Sequence, residues 1–199
     1  MNSRKPDYPI DSKFTDRWSP RAFSAEEISD ETLLTGFEAA RWAPSASNSQ
    51  PWRFLYARRG SPAWELFNSF MVEANRVWAT KAAALIIILS KKDFKSGDKV
   101  VFSETHSFDT GSAWISFALE MRKLGWFTHG MAGISHAKIK SEFQLTDNFT
   151  VEAMVAVGKL GDKKSLPEHL QTREEPNTRK PVKSFVSDGK FPIEWLKTE

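Results

Sequence analysis

Pro44-Ser45-Ala46-Ser47-Asn48-Ser49-Gln50-Pro51-Trp52 decides how this chain is read. Two prolines bracket six small or amide residues. The leading proline ends a helix, because the residue before a proline is pushed out of helical geometry. Its neighbours upstream, Leu33, Leu34, Phe37, Ala40 and Arg41, mark one helical face, with Asp30 as the expected cap. Downstream, Trp52 to Arg58 alternates Trp52, Phe54 and Tyr56 on one face, which predicts a strand. The loop between therefore joins a helix to a strand. It offers backbone amides and the mixed donor–acceptor side chains of Asn48 and Gln50, with almost no bulk.

The same alternation of helix and strand runs outward from there. A short helical turn is expected at Ser24-Ala-Glu-Glu27, a capping-box pattern. A helix is expected over 63–75 and a strand buried on both faces over Ala83–Leu89. Lys91 to Ser107 reads as a charged connection that could act as a lid, with Phe102, His106 and Phe108 at its end. Asp109 or Thr110 should cap a long helix reaching Leu124, stopped by Gly125. A short strand over 126–131, a helix from Ser135 and a buried strand over Val151–Val157 complete the set. The pattern implies a sheet with helices on both sides and mixed connections. From Gly161 the chain turns polar and proline-rich, and ends in Phe191-Pro-Ile-Glu-Trp-Leu196. Nearly forty residues without regular structure are too many for one internal loop, so this extension is expected to pack on a second copy of the chain.

Composition bounds the chemistry. The 199 residues are one domain's worth, with 28 Lys+Arg against 25 Asp+Glu, and no basic stripe that would suit nucleic acid. Without cysteine there is no thiolate nucleophile or thiolate metal site. The apolar run Ala82–Leu89 is far short of a membrane span, and no apolar leader follows Met1, so a cytoplasmic location is expected. No metal-spaced cluster, nucleophile elbow, dinucleotide fingerprint or phosphate loop of the GxxxxGK type occurs. His106, His129, His136 and His169 stand isolated in sequence.

Two guanidiniums stand out upstream of the loop, in Arg17-Trp18-Ser19-Pro20-Arg21. Pro20 forces Ser19 into extended geometry, and in an extended segment alternate side chains share a face. Arg17, Ser19 and Arg21 then point together and suit a phosphate. Late in the chain Arg173-Glu-Glu-Pro-Asn-Thr-Arg-Lys-Pro181 supplies further cations, and His129-Gly-Met-Ala-Gly133 is a glycine-containing turn after a strand.

These motifs resemble the nitroreductase family across roughly residues 13–185. The family's signatures run Arg-x-Ser-x-Arg and Pro-Ser-x-x-Asn-x-Gln-Pro-Trp. The resemblance implies an α+β fold with a central mixed, mostly antiparallel β-sheet flanked by helices. It also implies an intertwined homodimer with an exchanged C-terminal tail. One domain would then span 1–199, with an N-terminal arm over 1–13 and an extension over 162–199 packed on the partner. It implies FMN, held by Arg17, Ser19 and Arg179 at the phosphate and ribityl end and by Arg21 near the pyrimidine edge. Pro44, Ser45, Ala46, Asn48 and Gln50 would reach the flavin of the other subunit. The backbone of Met131, Ala132 and Gly133 would face the ring near N5. Trp18 occupies a position where the family usually has a basic residue or His. No protein side chain is assigned as catalytic, since flavin N5 carries the chemistry.

The implied activity is electron transfer from NADH or NADPH through FMN to a small electrophile such as a nitroaromatic or quinone, in a ping-pong scheme. Other flavin chemistry on the same fold, such as reductive dehalogenation or flavin breakdown, stays open at this stage. So does a non-enzymatic role in binding a flavin or nucleotide.

Overall fold

The computed structural model describes residues 4–197 of the chain; Met1–Ser3 of the expected arm and Thr198–Glu199 of the expected tail lie outside the described residues. A four-stranded sheet has the order β1-β2-β6-β5, formed by β1 (Trp52–Arg58), β2 (Ala84–Lys91), β6 (Phe149–Gly158) and β5 (Phe127–Met131). Every pair in it is antiparallel. A mixed sheet needs a parallel pair, and none forms among the described residues.

β2 is central, and seven of its eight residues are buried. Its alternate side chains feed two cores. Ile86 and Ile88 pack with Val155, Val157, Leu33, Phe117 and Met121 under α2 (Asp30–Arg41) and α5 (His106–Lys123). Leu85, Ile87 and Leu89 pack with Met154, Phe67, Phe70, Trp78 and Ile139 on the opposite face. That second layer is α3 (Trp64–Asn68), α4 (Glu73–Ala79) and α6 (His136–Glu142). The ring of Phe37 on α2 meets Phe54 and Tyr56 of β1, which confirms the expected inward face of that strand. α2 and α5 approach closely at Gly36, where an added Cβ would lie 2.7 Å from Met121 Sδ and Phe117 Cε2.

Several local expectations are corrected. Ser24–Glu27 forms no helix. Ala25 is left-handed at φ 61°, and Ser24 Oγ accepts from Glu26 N at 3.4 Å, a local turn that competes with capping. The cap of α2 is Ser29, accepting from Thr32 N, rather than Asp30. The helix expected over 63–75 is two helices, because Val72 N–H and Asn75 Nδ2 both donate to Gly133 O and turn the chain between them. Lys91–Ser107 contains an ordered hairpin, β3 (Asp93–Ser96) and β4 (Lys99–Phe102), turned at Gly97 with φ 60°. α5 begins at His106, and Asp109 is buried inside its first turn rather than capping it.

The C-terminal extension divides. Leu166 and Leu170, the latter on α7 (Glu168–Gln171), are buried in the chain's own core with Ala22 and Phe23, and Glu174 is buried against the Arg21 segment, which follows α1 (Lys13–Asp16). Beyond Pro176 the tail leaves its apolar side chains in solvent, among them Phe185, Phe191, Ile193 and Leu196.

Candidate functional site

An open cavity of about 480 Å³ lies where the Arg17–Arg21 segment, the edge strand β5 and the chain after α7 meet. Arg17, Trp18, Ser19, Arg21 and Arg179 all line it. Sequence positions from opposite ends of the chain therefore converge on one site. Arg17 Nη1 donates to Ser19 Oγ at 3.3 Å, so the expected shared face of the extended segment is present.

The site is electrostatically unbalanced. Burial, then the nearby charges of Arg4 and Arg179, lowers the pKa of the Arg17 guanidinium below its ordinary value. Arg4 is lowered likewise, by burial and then by Arg179. Among the described residues, neither Arg17 nor Arg179 lies within ion-pair distance of a carboxylate. Glu175 lines the cavity but pairs with Lys163 at 3.5 Å. Uncompensated guanidiniums facing one cavity suit a dianionic phosphate. The donor set therefore fits the phosphate end of a flavin mononucleotide.

Glu174 explains how the segment is held, and sequence reasoning passed it over. Its side chain is only 2% exposed. Oε1 accepts from the backbone N–H of Arg21 at 2.7 Å and of Ala22 at 2.8 Å, while Oε2 sits 3.9 Å from Arg21 Nη1. Two amides on Oε1 and the Arg21 charge offset the burial of this carboxylate, although Oε2 has no hydrogen-bond partner among the described residues, and the bonds to Oε1 fix the backbone that presents Arg17 and Ser19.

His129, isolated from the other histidines in sequence, forms part of the cavity wall. Its Nδ1–H donates to Pro20 O at 2.9 Å, which fixes the tautomer and leaves Nε2 as the acceptor. The ring lies 4.6 Å from that of Trp78. Burial, with the charges of Arg21 and Arg17 adding to it, pushes its pKa down to about 4, so the imidazole is neutral at physiological pH. Trp18 is a wall, edge-on to Phe127 at 6.1 Å, and Arg122 lies over that Phe ring at 4.5 Å.

The other expected residues lie elsewhere in the single chain. Pro44, Ser45, Ala46, Asn48 and Gln50 do not line this cavity, and all but the half-buried Ser45 are exposed. Their loop is anchored on α5, with Ala46 N–H donating to Asp109 Oδ2 at 3.1 Å. Ser47, Asn48 and Gln50 are left-handed at φ 52°, 52° and 48°. Non-glycine residues hold that geometry at a cost of order 1–3 kcal/mol each, a form of strain that clusters at functional sites. Of the turn after β5, Met131 is buried and Ala132 is exposed. Gly133 is pinned on α4, since a Cβ there would fall 2.8 Å from Asn75 Nδ2. A further polar group outside the cavity joins Ser90, His106 and Glu152: Ser90 Oγ lies 2.7 Å from His106 Nδ1 and also donates to Glu152 Oε1.

The model of the nitroreductase family matches residues 14–74, the span that holds both N-terminal motifs. A Rhodopseudomonas palustris protein provisionally named NADH dehydrogenase/NAD(P)H nitroreductase is 26% identical over 72% of this chain and 81% of its own. A Streptomyces coelicolor protein of the same provisional name is 27% identical over 73% and 80%. Among solved structures, an oxidoreductase described as containing FMN is 44% identical, covers 96% of this chain and 98% of its own, and superposes with a TM-score of 0.93. A Desulfovibrio desulfuricans protein provisionally named a nitroreductase and solved with FMN shares the fold at 21% identity, TM-score 0.70, over 91% and 96% of the two chains. With the Arg17–Arg21 segment and the Pro44–Trp52 loop inside the matched span and the fold reproduced end to end, this chain belongs to the nitroreductase family.

Proposed function

We propose that the protein is an FMN-dependent oxidoreductase that carries electrons from NADH or NADPH to a small electrophile, a nitroaromatic or a quinone. The observation that carries this is the uncompensated guanidinium pair Arg17 and Arg179 across a cavity already shaped by Ser19 and Arg21. FMN, when bound, supplies hydride acceptance at N5 and delivery of the same electrons to the second substrate. The protein's part is to bind and orient. Arg17, Ser19 and Arg179 hold the phosphate and ribityl end, and Arg21, paired with Glu174, is the cation for the pyrimidine edge. Neutral His129 keeps the Pro20 carbonyl in place without adding charge to the cavity.

The reading includes a homodimer with a flavin site at each subunit interface. Two features support it. Trp42 and Phe108 are 74% and 78% exposed, and the tail beyond Pro176 exposes a row of apolar side chains. Such patches mark association surfaces. The strained loop from Pro44 to Gln50 lies outside its own chain's cavity and is mostly exposed, which suits a contact with the flavin of the partner copy. Met131, Ala132 and Gly133 are proposed as the backbone facing the ring near N5. No helix among the described residues is long and apolar enough to cross a membrane, and a cytoplasmic location is part of the proposal.

The test is the visible absorption spectrum of the purified protein before and after anaerobic NADH or NADPH. Oxidised-flavin bands that bleach on addition, and return with a nitroaromatic or quinone, are expected. A protein that is colourless and takes up no added FMN would overturn the reading.

A further inference from the structure

The N-terminal arm and the C-terminal tail enclose a second cavity of about 570 Å³, inside the roughly 300–1,000 Å³ range of small-molecule sites. The walls are built, because the arm is clamped to the tail. Arg4 donates through Nε to Asn177 O at 2.8 Å and through Nη2 to Asn177 Oδ1 at 3.1 Å. Its Nη1 reaches the carbonyl oxygens of Thr15 and Arg17 at 3.1 and 2.7 Å. Asp7 Oδ2 accepts from Val182 N at 2.8 Å.

The clamp leaves Tyr8 and Phe14 of the arm opposite Phe185 of the tail, with 55%, 50% and 61% of their surface exposed. Lys5 and Lys180 add positive charge beside Arg4 and Arg179, and the single carboxylate among the described lining residues, Asp7, is committed to the Val182 amide. Flat aromatic faces ringed by cations suit a planar base joined to a phosphate. Arg179 and Asn177 line both this cavity and the first, so the two cavities adjoin at those side chains.

We propose that this second cavity binds the adenosine-phosphate group of a dinucleotide, next to the flavin phosphate. The proposal rests on reading the first cavity as the flavin-phosphate site. Two molecules carry that chemistry: FAD, whose adenylate would continue past the phosphate held by Arg17 and Arg179, and the electron donor NAD(P)H, whose adenosine end would dock beside bound FMN. The acceptor is a poor candidate, because a cavity joined to the phosphate end lies away from the flavin ring.

Isothermal titration of the full-length protein decides it. AMP is titrated into FMN-loaded protein, so that the first cavity is already filled, and FMN and FAD are titrated separately into flavin-free protein. Expected are saturable AMP binding and a loss of about ten-fold or more in AMP affinity in the Tyr8→Ala/Phe14→Ala double variant, with FMN affinity unchanged. Phe185→Ala, on the tail, checks the same wall should the arm variant fail to fold. FAD binding about ten-fold tighter than FMN, with AMP excluded from FAD-loaded protein, assigns the group to the flavin. Equal affinity for FMN and FAD, together with competition between AMP and ADP-ribose on FMN-loaded protein, assigns it to the pyridine nucleotide. FMN binding without AMP binding, or AMP binding that ignores both variants, overturns this inference and leaves the flavin reading standing. Failure of FMN itself to bind overturns both.

Discussion

Arg17→Ala separates a ligand-binding arginine from a structural one, because the two roles predict opposite signs. In the flavin-free protein Arg17 makes one weak side-chain hydrogen bond, to Ser19 Oγ at 3.3 Å, and has no carboxylate within ion-pair distance among the described residues. Its pKa is lowered by burial and by Arg4 and Arg179, so at neutral pH the folded state carries the cost of keeping it charged. The sign is fixed by linkage: a base that holds its proton less tightly when folded opposes folding at every pH below its folded pKa. Removing the guanidinium should therefore leave the flavin-free protein as stable as before or slightly more so. Relief of like-charge repulsion at a partly exposed site is at most on the order of 1 kcal/mol. The phosphate complex has the opposite stake. A charged hydrogen bond is worth about 1.5–3 kcal/mol. At 1.4 kcal/mol per decade the FMN dissociation constant should rise roughly 10- to 150-fold. Quenching of flavin fluorescence at low ionic strength reads the affinity, and thermal unfolding of flavin-free protein reads the stability. An unchanged dissociation constant would refute the phosphate assignment. A stable complex with a sharply lower flavin-free melting temperature would show that Arg17 holds the fold instead.

Three more outcomes follow from the same contacts. His129 has its pKa depressed to about 4, so the folded state resists its protonation. Stability should be flat above about pH 6.5 and fall by on the order of 2–3 kcal/mol as pH drops from there through 4, and His129→Gln should blunt that fall in urea titrations at pH 7 and 4.5. Glu174→Ala strips the acceptor from two buried amides and should cost roughly 2–4 kcal/mol in denaturant unfolding. Glu174→Gln keeps an acceptor oxygen and should recover most of it; equal losses would mean that charge rather than the two hydrogen bonds holds the segment. Gly36→Ala drives a methyl into Met121 and Phe117 and should destabilise by about 1–3 kcal/mol despite alanine's better helix propensity. A stabilised variant would show that α2 and α5 slide apart freely.

What the sequence made legible is what local geometry decides. Trp52, Phe54 and Tyr56 alternate, Pro51 precedes them and a turn follows, so β1 has the expected bounds of 52–58. Arg17, Ser19 and Arg21 face one cavity because Pro20 keeps the chain extended, a constraint that reaches only a residue or two. What stayed hidden was set by contacts across the chain. The break between α3 and α4 comes from Gly133 O, more than fifty residues away, taking the Val72 N–H that a continuous helix would have used internally and a second bond from the Asn75 side chain. The hairpin over 93–102 shows no apolar alternation, and only Ser96-Gly97-Asp98 hints at its turn. Glu174 looked like part of a solvated charged run, because nothing in Arg173-Glu174-Glu175 distinguishes the carboxylate that is buried from the one that is not. The difference is Leu170, whose burial on α7 seats the next turn against Ala22 and delivers one glutamate to the amides that frame the anion site. Arg4 does the equivalent from the other end, tying Asn177 to the carbonyl of Arg17. The cation cluster thus exists because the two chain ends are latched by carboxylate and guanidinium contacts that leave Arg17 and Arg179 without a carboxylate partner among the described residues. An anion is the missing component of that arrangement, and its binding should stabilise arm, segment and tail as one unit.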